Sequence, residues 1–372
     1  MRQRYGDLVP VELAPGVPAT LVIGYHTALR ILNDPERFPA DPRGWQKTVP
    51  ADCPVLPMLG WRPNVLRSAG AEHARYRAAV SAALDGIDLY RLHETVEQVA
   101  TPLINGFCGD GHCELLAQYA LPTIFATLNT LVGCSPEIAQ RVAAGMTALF
   151  DGTDAAAGDR MLTEALAQLT AEKRATPGDD IVSRLVGHHT ALDDEEVVQQ
   201  LVPLFGAAIE PTQNLIVNAL LLMLTDDRFG SGILGGSLST RDALDEALFD
   251  NAPVTNYCMS YPRQPVMIGD TWLPAHQPVL ISLAACNTDP AIRGAEIVAN
   301  RSHLAYGAGP HACPARGVAQ VIAQHTIDQL LDALPDIRLA VPPEELEWRP
   351  GVFNRALVRL PVAFPPSPPM NS

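Results

Sequence analysis

One stretch close to the C-terminal end constrains this chain more than any other. Tyr306-Gly307-Ala308-Gly309-Pro310-His311-Ala312-Cys313-Pro314-Ala315-Arg316 sets two glycines ahead of a single thiol. The segment 315–334 that follows carries Val318, Ile322, Ile327, Leu330, Leu331 and Leu334 at helical spacing. Gly307 and Gly309 can adopt positive φ and leave the backbone open to a close approach. A thiolate in a dry pocket needs backbone N–H donors and the positive end of a helix to offset its charge. The chain supplies both around Cys313, whose sulfur is expected where a helix begins.

That arrangement reads as an axial thiolate for haem iron, with the glycines letting the backbone lie against a flat macrocycle. The run resembles the cysteine loop of the cytochrome P-450 family, usually Phe-Gly-x-Gly-x-His-x-Cys-x-Gly. Tyr306 stands for the usual Phe. Ala315 stands for the usual final Gly, a change that is tolerated if the backbone there is already helical. The resemblance covers nearly the whole chain through segments that are weak singly and strong in their order: Tyr5-Gly6, Phe38-Pro39-Ala40-Asp41-Pro42-Arg43, the run from Asp110 to Tyr119, and Ala285-Cys286-Asn287-Thr288-Asp289-Pro290. It implies a mainly α fold with small β-sheets and a single domain spanning 1–372. Haem b, iron protoporphyrin IX, would lie between a long central helix and the cysteine-loop helix, with Cys313 as the metal ligand.

A chain of 372 residues with 47% hydrophobic residues can bury a substantial core, and no low-complexity linker divides it. The 33 prolines are spread throughout, and the glycine-rich stretch 230–237 reads as a surface loop between helices. The longest uninterrupted apolar run, 219–224, is far below the ~20 residues that a membrane-spanning helix needs. The N-terminus Met-Arg-Gln-Arg-Tyr lacks an apolar signal segment, so a soluble cytoplasmic protein is expected. Seven scattered cysteines, an odd number, fit a reducing compartment better than a disulfide framework. A net charge of -15 without a Lys/Arg cluster argues against nucleic acid as the main partner.

Periodicity predicts a strand over 19–25 and a short helix over 26–32. Helices follow over 71–84, 89–107, 113–131, 136–150, 159–173, 181–186 and 193–226. Strands return at 266–268, 278–283 and 356–364. A short helix over 239–253 opens on Ser239-x-x-Asp242, which approximates a capping box.

Haem carries two propionates, and a buried carboxylate without partners is costly. His73 and Arg77 lie one helical turn apart and project from one face. By resemblance to the family's haem-contacting helix they would reach the propionates, and His311 would do so from the other side. A further family donor, an arginine on a strand, falls at Ser260, and Arg263 could substitute. The resemblance also places Ala207, Tyr306, Gly307, Gly309 and Ala315 against the haem.

Two departures bear on chemistry. Gly206-Ala207-Ala208-Ile209-Glu210-Pro211-Thr212-Gln213-Asn214 resembles the family's oxygen-side motif, in which Pro211 replaces the Thr that steers protons to dioxygen. Glu210 and Thr212 are the catalytic candidates. Pro211 should free the C=O of Ala207 and open the helix locally, and Thr212 replaces the missing hydroxyl only if the kink rotates it inward. In the 239–253 helix, Phe249 occupies the Arg position of the family's Glu-x-x-Arg, so Glu246 is left to pair with Arg301 alone.

The resemblance implies a haem-thiolate monooxygenase of bacterial secondary metabolism, an oxidoreductase acting on a hydrophobic small molecule. Electrons would come from a ferredoxin/ferredoxin reductase-type or flavin-containing donor docking near Arg316, Arg75 and Arg77. The pocket would be lined by segments near 54–65, 142–150 and 351–354. A haem-thiolate binding protein with little turnover, or a peroxide-driven oxygenase, is the alternative that Pro211 raises. A third reading is metal binding at Cys108, His112 and Cys113, although no complementary Cys/His pair follows at zinc-site spacing.

Overall fold

The structure is a computed structural model that describes residues 1–151, 155–229, 238–292 and 300–370. The stretch 230–237, expected as a surface loop, lies outside the described residues. The chain forms two compact units. One comprises Met1–Arg75, Asp245–Cys313 and Arg349–Ala356, and the other comprises Tyr76–Leu244, Pro314–Trp348 and Leu357–Ser372.

The first unit is built on a four-stranded sheet. Leu8–Ala14 pairs antiparallel with Val17–Val22, which runs parallel to Val279–Ser282, and Asn256–Ser260 closes the far edge antiparallel. Val279–Ser282 is buried along its whole length, as a central strand covered on both faces should be. Its alternation sorts the core: Val279 and Ile281 pack with Val22, Ala28, Ile31 and Phe38, while Leu280 packs with Leu13, Trp45 and Tyr261. The strand Leu8–Ala14 was not foreseen from sequence. It contains Pro10, which an edge position tolerates because no ladder donor is needed there. Arg2 ties the N-terminus down by donating to Asp289 at 2.9 Å and to the carbonyl of Ile23 at 2.8 Å.

The second unit is helical. Its long helix, Asp194–Thr225, starts on a capping box in which the Asp193 carboxylate accepts the Glu196 N–H and Glu196 accepts the Asp193 N–H. This helix is long and apolar enough to cross a membrane by length and composition, but Thr212 and the run from Asn214 to Leu220 are buried inside the unit. Arg316–Ala333 packs on Leu89–Asn105, and Pro136–Asp151 packs on Ala155–Ala175. Tyr119 donates its hydroxyl to the carbonyl of Thr326 at 2.6 Å.

Most expected helices form within a few residues of their predicted bounds. The 113–131 helix is the exception. Cys113 lies in the strand His112–Glu114, opposite Val362, and helical structure begins at Leu116. The Glu114 carboxylate accepts the N–H groups of Leu116 and Ala117, so the helical stretch starts there. The tail expected as one strand over 356–364 divides into Ala356–Leu357 and Pro361–Ala363.

Candidate active site

Three backbone bonds close the cysteine loop. Gly307 N–H reaches the Leu304 carbonyl at 2.7 Å, Ala312 N–H reaches Gly309 at 3.0 Å, and Cys313 N–H reaches Tyr306 at 2.8 Å. Gly307 and Gly309 both sit at φ 68, the left-handed region where a Cβ is costly. The expectation that Gly309 serves approach to a macrocycle needs amending: a Cβ there would lie 2.1 Å from the Leu32 carbonyl oxygen, at the end of the Tyr25–Leu32 helix. Among the described residues a Cβ at Gly307 would meet nothing closer than 3.8 Å apart from its chain neighbours. Ala315 is not itself helical. It is the N-cap of Arg316–Ala333 at φ -97, a conformation that any residue adopts, so the usual glycine is not required.

Cys313 is exposed, whereas Cys53, Cys108, Cys113 and Cys286 are buried. Burial pushes the thiols of Cys113, Cys134 and Cys286 each up to about 12, which keeps them protonated and inert. Among the described residues no group of three or more His, Cys, Asp or Glu side chains could hold a metal ion, so Cys108, His112 and Cys113 form no such centre.

His73 is buried in the first turn of the Gly70–Asp85 helix, and its ring lies 3.9 Å from that of His311. Arg77 follows one turn later, with its Nε donating to Ser81 Oγ at 3.1 Å. Glu72 turns instead to Arg43, which also holds Asp41 and lies over the Trp61 ring. Partial burial raises the Asp41 carboxyl, but the Arg43 hydrogen bonds outweigh it and hold Asp41 below its ordinary range. Ser260 is buried in the sheet, and Arg263 is exposed, with its charge acting on Asp41.

On the long helix Ala207 is exposed, and Gly206, Glu210 and Pro211 are half-buried. A Cβ on Gly206 would find only Met146 Cε, at 4.0 Å. The helix runs uninterrupted through Pro203 and Pro211, so the expected local opening does not break it. The carbonyl that loses its donor belongs to exposed Ala207, where water can satisfy it. Thr212 is 6% exposed and lies on the buried side, while Glu210 is on the accessible strip.

An exposed thiol on a loop closed by backbone N–H donors, and two facing imidazoles able to donate to carboxylates, have the chemistry that haem requires. No protein-family model matches the chain. It is 27% identical to cytochrome P-450 107B1 of Saccharopolyspora erythraea over 97% of this chain and 93% of that protein. It is also 27% identical to a vitamin D(3) 25-hydroxylase of Pseudonocardia autotrophica, over 98% and 92%. The solved structure of CYP154A1 from Streptomyces coelicolor A3(2) superposes with a TM-score of 0.86 at 26% identity, covering 98% of this chain and 95% of that one. These relatives and solved structures are cytochrome P-450s, and the chain shares their fold over nearly its whole length. Its cofactor is haem b, and it is an oxidoreductase.

Three ties join the Thr240–Asp250 helix to the segment that leads into the cysteine loop. Asp245, whose side chain is 6% exposed, accepts from Arg301 Nε at 2.8 Å. Asn287 donates to the Leu248 carbonyl at 2.9 Å and accepts from the Leu304 N–H at 2.7 Å. The Phe249 ring stands edge-on to His303, 5.3 Å away. The cation at Arg301 thus meets Asp245, the chain neighbour of Glu246. Asp245 sits about 100° around the helix from it and faces that cation. Sequence reading did not single out Asp245 or His303. Asn287 lay within a recognised segment, but nothing in the sequence indicated its bridging role.

Proposed function

We propose that this P-450 is a haem-thiolate monooxygenase that oxidises a hydrophobic small molecule with O2, drawing electrons from a ferredoxin/ferredoxin reductase-type donor. The observation that carries this is the exposed Cys313 on its closed loop, in the same unit as the His73–His311 pair. Bound haem b supplies the redox chemistry. Cys313 is the metal ligand, while His73, His311 and Arg77 hold the ring carboxylates by charge-assisted hydrogen bonds. Tyr306, Gly307, Gly309 and Ala315 shape the loop around Cys313. Glu210 holds and passes a proton from the accessible strip, and Thr212 supports it from the buried side. Support for an apolar substrate comes from the hydroxylase relative and from the apolar character of the segments near 54–65 and 142–148.

Pro211 favours a second reading, a peroxide-driven oxygenase, since it removes the hydroxyl of the usual proton relay. Two assays on the purified protein decide. A ferrous–CO difference spectrum with a red-shifted, thiolate-type Soret band that is lost in Cys313→Ser supports the ligation, and its persistence in that variant refutes it. Product formed with NADPH, a surrogate ferredoxin and its reductase supports the monooxygenase, whereas product formed only with hydrogen peroxide supports the second reading.

A further inference from the structure

Phe249 stands where the family's helix carries arginine, and its ring leads toward the cysteine loop by contacts that need no charge. Phe249 meets His303 at 5.3 Å and 89°, and His303 meets Tyr306 at 5.9 Å and 52°. Phe249 is 5% and His303 7% exposed, so the contact is made away from water, where ring edges and faces pack with defined geometry. The Tyr306 carbonyl accepts the Cys313 N–H at 2.8 Å, and the neighbouring Leu304 N–H is fixed by Asn287. A backbone shift of Tyr306, which the ring contact resists, would thus move the acceptor that closes the loop on Cys313.

We infer that Phe249 and His303 are positioning residues for the cysteine loop, a ring column that performs by shape what an arginine performs by charge. It acts through Tyr306 on the backbone of Cys313 and takes no part in the chemistry. Since the contacts with Phe249 and Tyr306 are ring packing, a second flat ring at position 303 should keep them, and a small side chain should not. The second ring keeps them although it gives up the bond from the Ala305 N–H to His303 Nδ1, at 3.3 Å. Asp245–Arg301, in contrast, holds the segment two residues further from the thiol than His303, with Arg301 53% exposed, so solvent screens its pull.

The optical arm of the test rests on Cys313 as iron ligand, and the exchange arm does not. The full-length haem-loaded protein is compared with Phe249→Ala, His303→Ala, His303→Phe and Cys313→Ser. His303→Ala and Phe249→Ala are expected to speed hydrogen exchange at the Cys313 amide by about tenfold or more and to move the ferrous–CO band away from its thiolate position. His303→Phe keeps both at wild-type values. Wild-type exchange in His303→Ala, or failure of His303→Phe to rescue, overturns the inference. If the alanine variants do not fold, recovery of a folded, haem-loaded protein by His303→Phe supports the column, and its equal failure to fold overturns it. A CO band unchanged by Cys313→Ser refutes the ligation alone and leaves the exchange result to decide the positioning.

Discussion

The imidazoles of His73 and His311 face one another at 3.9 Å, although 238 positions separate them in the chain, since 311 minus 73 is 238. The Gly70–Asp85 helix brings one and the turn Gly309–His311 brings the other. Two donors side by side suit two carboxylates, and hydrogen bonds to charged groups contribute about 1.5 to 3 kcal/mol each. His73→Ala and His311→Ala are each expected to weaken haem retention by roughly 10- to 100-fold. Transfer of haem to an apo-globin acceptor measures this, and wild-type transfer rates in both variants would rule out a propionate role.

Gly309→Ala should be among the most damaging small changes in the chain. Positive φ costs an L-residue about 1 to 2 kcal/mol, and the new methyl would press on the Leu32 carbonyl, at 2.1 Å. A fall in Tm of at least about 4 °C is expected by calorimetry. Gly307→Ala has the same φ but no close neighbour, so it should lose less. Equal losses in the two variants would show that the contact with Leu32 does not matter.

Pro211→Thr is expected to act twice. It returns an N–H to the interior of Asp194–Thr225, where proline costs up to about 3 kcal/mol, so thermal stability should rise. It also places a hydroxyl beside Glu210, and the ratio of product formed to NADPH consumed should increase several-fold, below the roughly 10²–10⁴ that a fully placed proton donor contributes. Increased stability with an unchanged ratio would remove position 211 from the proton relay.

Acid should destabilise the second unit through a histidine pair. His93 Nδ1 and His325 Nδ1 are 2.9 Å apart, on Leu89–Asn105 and Arg316–Ala333. Burial, and then the charge of His93, hold His325 below its ordinary 6.5; Asp328 opposes this, itself accepting a hydrogen bond from Thr240. The unfolded chain therefore binds more protons than the folded one below pH 6.5, and stability is lost as the pH falls from there toward the depressed value. Denaturant midpoints taken from pH 8 to 5 should drop below about 6.5, and His325→Phe should flatten that drop. An identical pH profile in His325→Phe would exclude this pair as the cause.

Local chemistry was legible in the chain wherever it depended on neighbours in sequence. Cys313 with its two glycines, the helix after it, the His73/Arg77 spacing and the Ser239-x-x-Asp242 cap could all be read from consecutive residues, and the structure forms each locally. Cys113 was misread because a strand of three residues has too short a period to outweigh the helical pattern after it, and its pairing with Val362 is invisible to local reading.

What the sequence determined by itself is the inventory: a cysteine loop, a helical majority, and Pro211 and Phe249 at the two positions where the resemblance leads one to expect a hydroxyl and a cation. Tertiary structure alone decided which carboxylate meets Arg301, which carbonyl lies against Gly309, and that Phe249 finds a ring in His303. The physical reason is distance along the chain. Contacts across 50 or more positions, as from Asp245 to Arg301 or Phe249 to His303, depend on how distant elements pack, and residue spacing carries no record of that.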